Sequence, residues 1–168
     1  RAFEAIARLH LRNYESEAFR GTHFYGCAYS PYAPKDSTDP RDVLCAMGVD
    51  AVPALVVALG DRSDTNTVTH SGRGRTGERR VWKLGDLAAR MLFDTCGRNF
   101  TVGTLENQKS LLDLDPAVVP ELQRIVLAWY AANRGASEVE LRIQALEDPD
   151  GGNRLRAAEW LAYHKSTE

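Results

Sequence analysis

Gly72-Arg73-Gly74-Arg75-Thr76-Gly77 has the glycine spacing of a phosphate-binding loop. The Lys-Ser/Thr that should follow is replaced by Glu78-Arg79, and no strand is expected before the loop, so the stretch reads as a flexible insertion. The same region carries Arg62, Arg73, Arg75, Arg79 and Arg80 against Asp61, Asp64 and Glu78, a local surplus of positive charge. Guanidinium forks suit carboxylate or phosphate partners. Arg73, Arg75, Arg79 and Arg80 are therefore partner-binding candidates, and the plainer alternative is a solvated loop.

Metal ligation needs converging His and Cys. His23 and Cys27 are four apart, but Gly21 and Gly26 argue against a helix that would put them on one face. Cys45 and His70 lie far off in sequence and no C-x-x-C occurs, so no metal site is expected. Cys27 can be drawn as a dyad with His10, His23 or His70, but any chain of this length permits such a drawing. Neither G-x-S-x-G nor H-E-x-x-H is present. No catalytic residue and no cofactor is assigned. Among the aromatics, Trp129 fits a core stripe. Trp160 lies with Tyr163 near the C-terminal edge, where an exposed ring would anchor a partner. The duller account has Trp160 capping the final helix or packing on a further repeat.

Composition narrows the classes. The chain has 168 residues, 43% hydrophobic and 26% charged, the size and mix of one globular domain spanning residues 1–168. A formal net charge of -2 gives no positive field for nucleic acid. No apolar run approaches the roughly 20 residues of a membrane-spanning helix. Three cysteines, Cys27, Cys45 and Cys96, are too few for a disulfide scaffold and are expected to be unpaired, which leans the chain towards a reducing, cytoplasmic interior. Asn99-Phe100-Thr101 fits a glycosylation acceptor, which matters only in a secreted chain.

Helical periodicity dominates the elements that would position these residues. A first amphipathic helix is expected over residues 2–19, followed by an ordered aromatic loop over 21–40. Asp39 can cap and Pro40 can take the first position of a helix over 41–47 that ends at Gly48. A second starts near Asp50, has Val49, Val52, Leu55, Val56 and Leu59 spaced as one face, and closes on Gly60 as a left-handed cap. The two are expected to pack antiparallel. After a long break over 61–81, with 65–70 the only short strand candidate, a helix starts at Leu84 and stops at Gly97. Another begins at Pro116 or Pro120 and runs to Asn133. Ser137 and Glu140 form a capping box for a helix reaching about Glu147. Gly151-Gly152 turn the chain into a last helix over 154–163, buried through Leu155, Ala158, Leu161 and Ala162. The fold class is all-α.

Two strings share a layout of helix, tight turn and helix with small residues at close approaches: Met47-Gly48-Val49-Asp50-Ala51-Val52-Pro53-Ala54-Leu55-Val56-Val57-Ala58-Leu59-Gly60-Asp61, and Ala145-Leu146-Glu147-Asp148-Pro149-Asp150 with Arg154-Leu155-Arg156-Ala157-Ala158-Glu159-Trp160-Leu161. Gly85-Asp86-Leu87-Ala88-Ala89 is a weaker third. These strings resemble the short bacterial HEAT-like repeats. Asn153 stands where that family has an apolar residue, Trp160 where it has a small one, and the stretches 21–40 and 61–81 interrupt the pattern. The resemblance implies an irregular α-solenoid of antiparallel helix pairs, and an Arg1 start suggests one end of a longer one. It implies a non-catalytic protein-interaction scaffold with a protein partner. A HEAT-like lyase or nucleic-acid-repair enzyme is the alternative from another class, and a purely architectural segment is the third.

Overall fold

A computed structural model describes residues 1–9, 38–71, 78–103, 109–110 and 114–165; at 67–71, 78–80, 109–110 and 164–165 it describes the backbone alone. Most of the described chain is helical, as the periodicity predicts. Helix α1 (Ala2–Leu9) buries Ala2, Ala5, Ile6 and Leu9. Helix α2 (Pro40–Met47) starts as expected: the Asp39 carboxylate accepts the Arg41 N–H at 2.9 Å, and Pro40 occupies the first turn, where its missing N–H costs nothing.

The end of α2 departs from expectation. Gly48 (φ 54) opens a single 3-10 turn, Gly48–Ala51, that runs straight into α3 (Val52–Ala58). The two helices do not close on each other as a hairpin. Each packs chiefly on α1 and α4 (Leu84–Cys96), and α3 also on α5 (Val119–Asn133). Nor is Gly60 left-handed; the positive-φ residues among those described are Gly48, Gly97 and Gly103. Most of the apolar face is as read: Val52, Leu55, Val56 and Leu59 are buried, while Val49 falls in the 3-10 turn and is half-buried.

Helix α4 is the centre of the molecule, with every position except Arg90 buried. A helix enclosed on all sides must satisfy its polar groups internally. The Asp86 carboxylate accepts the Lys83 N–H at 3.1 Å and lies 3.5 Å from Arg62. Gly97 ends the helix in the left-handed conformation (φ 64, ψ 18), the expected stop. The uncertain start of α5 resolves into both prolines: Pro116 opens a 3-10 turn capped by Asp115, and Pro120 falls in the first turn of the α-helix. Leu122 and Val126 face the core, and Trp129 meets Phe100 edge-on at 5.5 Å.

The described residues on either side of 72–77 form a ribbon. Strand β1 (Asp64–Ser71) pairs antiparallel with β2 (Glu78–Lys83), with His70 opposite Arg79 and Thr69 opposite Arg80. A two-stranded ribbon alone is marginal in water. Its base is fastened by the Thr65 hydroxyl on the Trp82 carbonyl (2.8 Å), by the Lys83–Asp64 ion pair, and by the Leu84 N–H on the Ser63 carbonyl (2.9 Å). A minimal pair, β3 (Thr101–Val102) with β4 (Lys109–Ser110), is the other sheet among the described residues. The fold is thus predominantly α with two antiparallel ribbons.

Two further corrections concern single residues. Cys45 is disulfide-bonded and half-buried, so it is no free thiol, and the premise for a reducing compartment is removed. Cys96 is free and buried. Among the described residues, no helix is long and apolar enough to cross a membrane.

Candidate functional site

The C-terminal pair, α6 (Glu138–Ala145) and α7 (Gly151–Lys165), is built by local capping. Ser137 Oγ accepts the Glu140 N–H at 3.3 Å while Glu140 accepts the Ser137 N–H at 2.7 Å, the expected reciprocal box. That bond holds the Glu140 carboxyl below its ordinary range. Asp150 accepts the Gly152 N–H at 2.7 Å and Asp148 the Asp150 N–H at 2.9 Å, so α7 begins at the two glycines rather than after them.

The buried face of α7 differs from the one the periodicity picks. Asn153, Ala157 and Trp160 face inward, while Leu155 is 61% exposed and Ala158 and Ala162 are also exposed. The reason lies in what the pair docks against. The main core comprises residues of α1 to α5 together with Phe100 and Leu114. The pair meets it chiefly through charged and polar side chains.

Asn153 clasps the backbone of Asn99: its carboxamide oxygen accepts the Asn99 N–H at 2.8 Å and its amide nitrogen donates to the Asn99 carbonyl at 3.2 Å. Arg98 pairs with Asp148 at 2.5 Å. The Arg156 guanidinium stands 4.6 Å over the Phe93 ring, whose other cationic neighbour is Arg90 at 5.2 Å. Arg142, 3% exposed, donates to Glu138 at 3.0 Å, lies 5.3 Å over the Trp160 ring and fills the space above Gly97. Trp160 is 4% exposed, so it is no exposed anchor. The resemblance's two departures, Asn153 and Trp160, are the inward residues of this latch.

The latch sets the charge states around it. Burial raises the Cys96 thiol to about 12 despite Arg142 and Arg98 nearby, which keeps it protonated and unreactive. Burial likewise raises Asp94 from its ordinary 3.8 to about 6, against the pull of Arg90 (3.3 Å), Arg41 and Arg142. A carboxyl whose folded pKa exceeds its unfolded one binds its proton more tightly when folded, so its contribution to stability grows as pH falls through 6 and levels off below 4. From pH 7.5 to 4.5 the parent chain is expected to gain about 2 kcal/mol relative to Asp94→Asn. Urea melts of both chains at the two pH values check this. A pH-independent difference would contradict it.

Outside the latch, α6 presents Val139 (49% exposed) and Ile143 (54%), and its C-cap residue Leu146 (40%) continues the line at i+7. This line is turned away from Leu141 and Ala145, and the buried Arg142, four residues before Leu146, lies beside it. Two clefts flank the latch. One of about 290 Å³ lies between the end of α2 and the start of α6, lined by Cys45, Met47, Gly48, Thr95, Glu138 and Leu141 among others. The other, about 460 Å³, lies at the start of α7 beside Arg98, Asn99 and Asp148.

The remaining candidates fall outside the described side chains. Arg73 and Arg75, with the whole 72–77 loop, lie outside the described residues, as do His10, His23 and Cys27. Arg79 and Arg80 sit on β2, where the backbone alone is described. The glycine loop joins two paired strands, whereas a phosphate loop leads from a strand into a helix. Among the described residues, no group of three His, Cys, Asp or Glu could hold a metal ion. Sequence reasoning missed Arg98, Arg142 and Asn153. A signal was present for the last, the polar residue at an apolar position of the repeat. No protein-family model, curated protein or solved structure matches this chain.

Proposed function

We propose that this chain is a non-catalytic protein-interaction module, an irregular α-solenoid of the HEAT-like kind. The observation that carries the reading is the half-exposed line of Val139 and Ile143 on α6 and Leu146 at its C-cap. Apolar residues scattered singly on a surface are ordinary, but three at i, i+4 and i+7 form a face that a second helix can cover. The latch beneath that face fixes the orientation in which it is offered.

The same line favours a second, architectural reading, since in stacked helix pairs each pair covers the face of the one before. Partner capture from the source lysate, with cross-linking mass spectrometry, separates the two. A stoichiometric protein cross-linked to α6, α7 or the β1–β2 ribbon is the expected result. Cross-links confined to the chain itself, with no partner, would leave the architectural role. Alanine at Arg73, Arg75, Arg79 and Arg80 together tests the basic loop. Helicity is expected to stay intact, and unchanged capture would remove the loop from the docking surface.

A further inference from the structure

We propose that the chain pairs with a second copy of itself through the outer edge of β1, joining two ribbons into one four-stranded antiparallel sheet. The inference is independent of the α6 line. Among the described residues, the sheet of β1 and β2 holds these two strands alone, so each leaves an outer edge without a strand. The row of backbone N–H and C=O groups on such an edge is a template for another strand. Strand β1 packs on β2 and has no comparable contact with any helix, so no described helix lies along that edge. A ribbon of two strands is also the sheet that gains most from growth, because three or more are needed for a sheet to stand by itself.

The residue types decide which edge pairs and with what. Strand β2 reads Glu78-Arg79-Arg80-Val81-Trp82-Lys83, and charged residues at this density guard an edge. Over 67–71, β1 reads Thr-Val-Thr-His-Ser, with no carboxylate, lysine, arginine or proline. Asp64 and the irregular register between Asp64 and Val68 confine the unguarded edge to this stretch. A twofold axis at Thr69 fits the stretch to its own copy: Thr69 stands opposite Thr69, Val68 opposite His70, and Thr67 opposite Ser71. Every pair is uncharged at neutral pH, and hydroxyl residues opposite one another are favourable across strands. Strand β2 does not fit itself in this way. Centred on Arg79 or Arg80, self-pairing sets that arginine opposite its own copy; centred on Val81, it sets Arg79 opposite Lys83. In the sheet built on β1, Arg80 stands behind Thr69, so its two copies are three strand spacings apart, about 14 Å and beyond the Debye length at physiological salt. The paired edge is far smaller than a standard interface, so the dissociation constant is expected on the order of 10–100 µM.

Sedimentation velocity on the whole chain, from about 2 to about 500 µM, tests this. The sedimentation coefficient should rise with concentration from monomer to dimer. Thr69→Lys sets like charges opposite each other on the axis, and so does Thr69→Glu; each variant alone should dimerise at least about tenfold more weakly. Mixed in equal amounts, the two should recover a dimer that weakens as salt is raised, because lysine then faces glutamate across the axis. Circular dichroism of both should match the parent. Hydrogen exchange of the parent reads the same contact without a substitution: alternate amides over 68–71 should gain protection at the higher concentrations, while those of α6 should not change. A parent that stays monomeric, single variants that dimerise like the parent, a mixture that stays monomeric, or a dimer whose β1 amides exchange as in the monomer each overturns the proposal. A monomer whose ribbon cross-links to a captured partner overturns it too and leaves the module reading standing.

Discussion

Gly85→Ala is expected to lower stability by about 3 kcal/mol, and the melting temperature by roughly 10 °C. Gly85 lies in the first turn of α4, and its N–H donates to the Asp61 carbonyl at 2.8 Å. That bond draws the start of the central helix against the chain leaving α3. A methyl group there would stand 2.5 Å from the Leu59 carbonyl oxygen and 2.9 Å from that of Asp61. Both are backbone atoms, so no side chain can swing aside. Either α4 shifts, disturbing a helix packed on nearly every side, or the bonds to Asp61 and Ser63 lengthen. The strain is steric alone, because Gly85 is not among the positive-φ glycines. Gly60→Ala is the matched control: its added methyl meets nothing within 4 Å and its φ is not positive. By restricting the unfolded chain, that change should be neutral or stabilising by up to about 1 kcal/mol. Thermal and chemical melts of the two variants compare them directly. Equal effects would refute the close approach at Gly85.

The contrast between these two glycines shows what a linear reading can reach. Helix boundaries set by neighbours in the chain were legible: Asp39 with Pro40, Ser137 with Glu140, and Gly97 all do as their types predict. The apolar face of α3 was legible for the same reason, and so was the stripe Leu87, Ala88, Met91, Leu92 and Cys96 of α4, although α4 is buried off that stripe as well and Phe3, expected on the apolar face of α1, is 62% exposed. Glycines needed for space rather than for φ cannot be told from others until the neighbouring stretch of backbone is known, which is why Gly60 was read as a cap and Gly85 only as part of a repeat string. The β1–β2 ribbon was obscured because Thr, Asn and His give no alternation of apolar and polar residues. Only its run of β-branched Thr65, Thr67, Val68 and Thr69 hinted at a strand. The inward face of α7 was misread because a buried Asn looks like a surface residue until its partner, Asn99, is found 54 residues away. The disulfide at Cys45 could not be read from three scattered cysteines.

Arg142→Ala is expected to cost about 3 kcal/mol and to release the C-terminal pair before the main core unfolds. Three separate effects meet at this side chain. Its guanidinium covers the Trp160 ring at 5.3 Å, and its positive charge lies against Gly97 at the C-terminal end of α4, the end that favours a cation. Its stem fills a site 3% exposed, so truncation also leaves a cavity. The pair with Glu138 at 3.0 Å weighs less, because that carboxylate's side chain is 54% exposed and can return to water when the arginine is gone. Arg142→Met separates the terms. Methionine restores most of the volume without the charge, and the buried Nε of Arg142 has no hydrogen-bond partner to lose. If filling dominates, Met should recover about half of the loss; if the charge at the end of α4 dominates, Met and Ala should be alike. Hydrogen exchange localises the effect. Amides of α6 and α7 should lose protection while those of α4 and α5 keep theirs, because the pair is held by Arg98, Asn153 and Arg156 besides Arg142 and shares little apolar core with the rest. Uniform loss of protection across α4 to α7 would mean that the pair and the core unfold as one unit, and that the latch is continuous with the core.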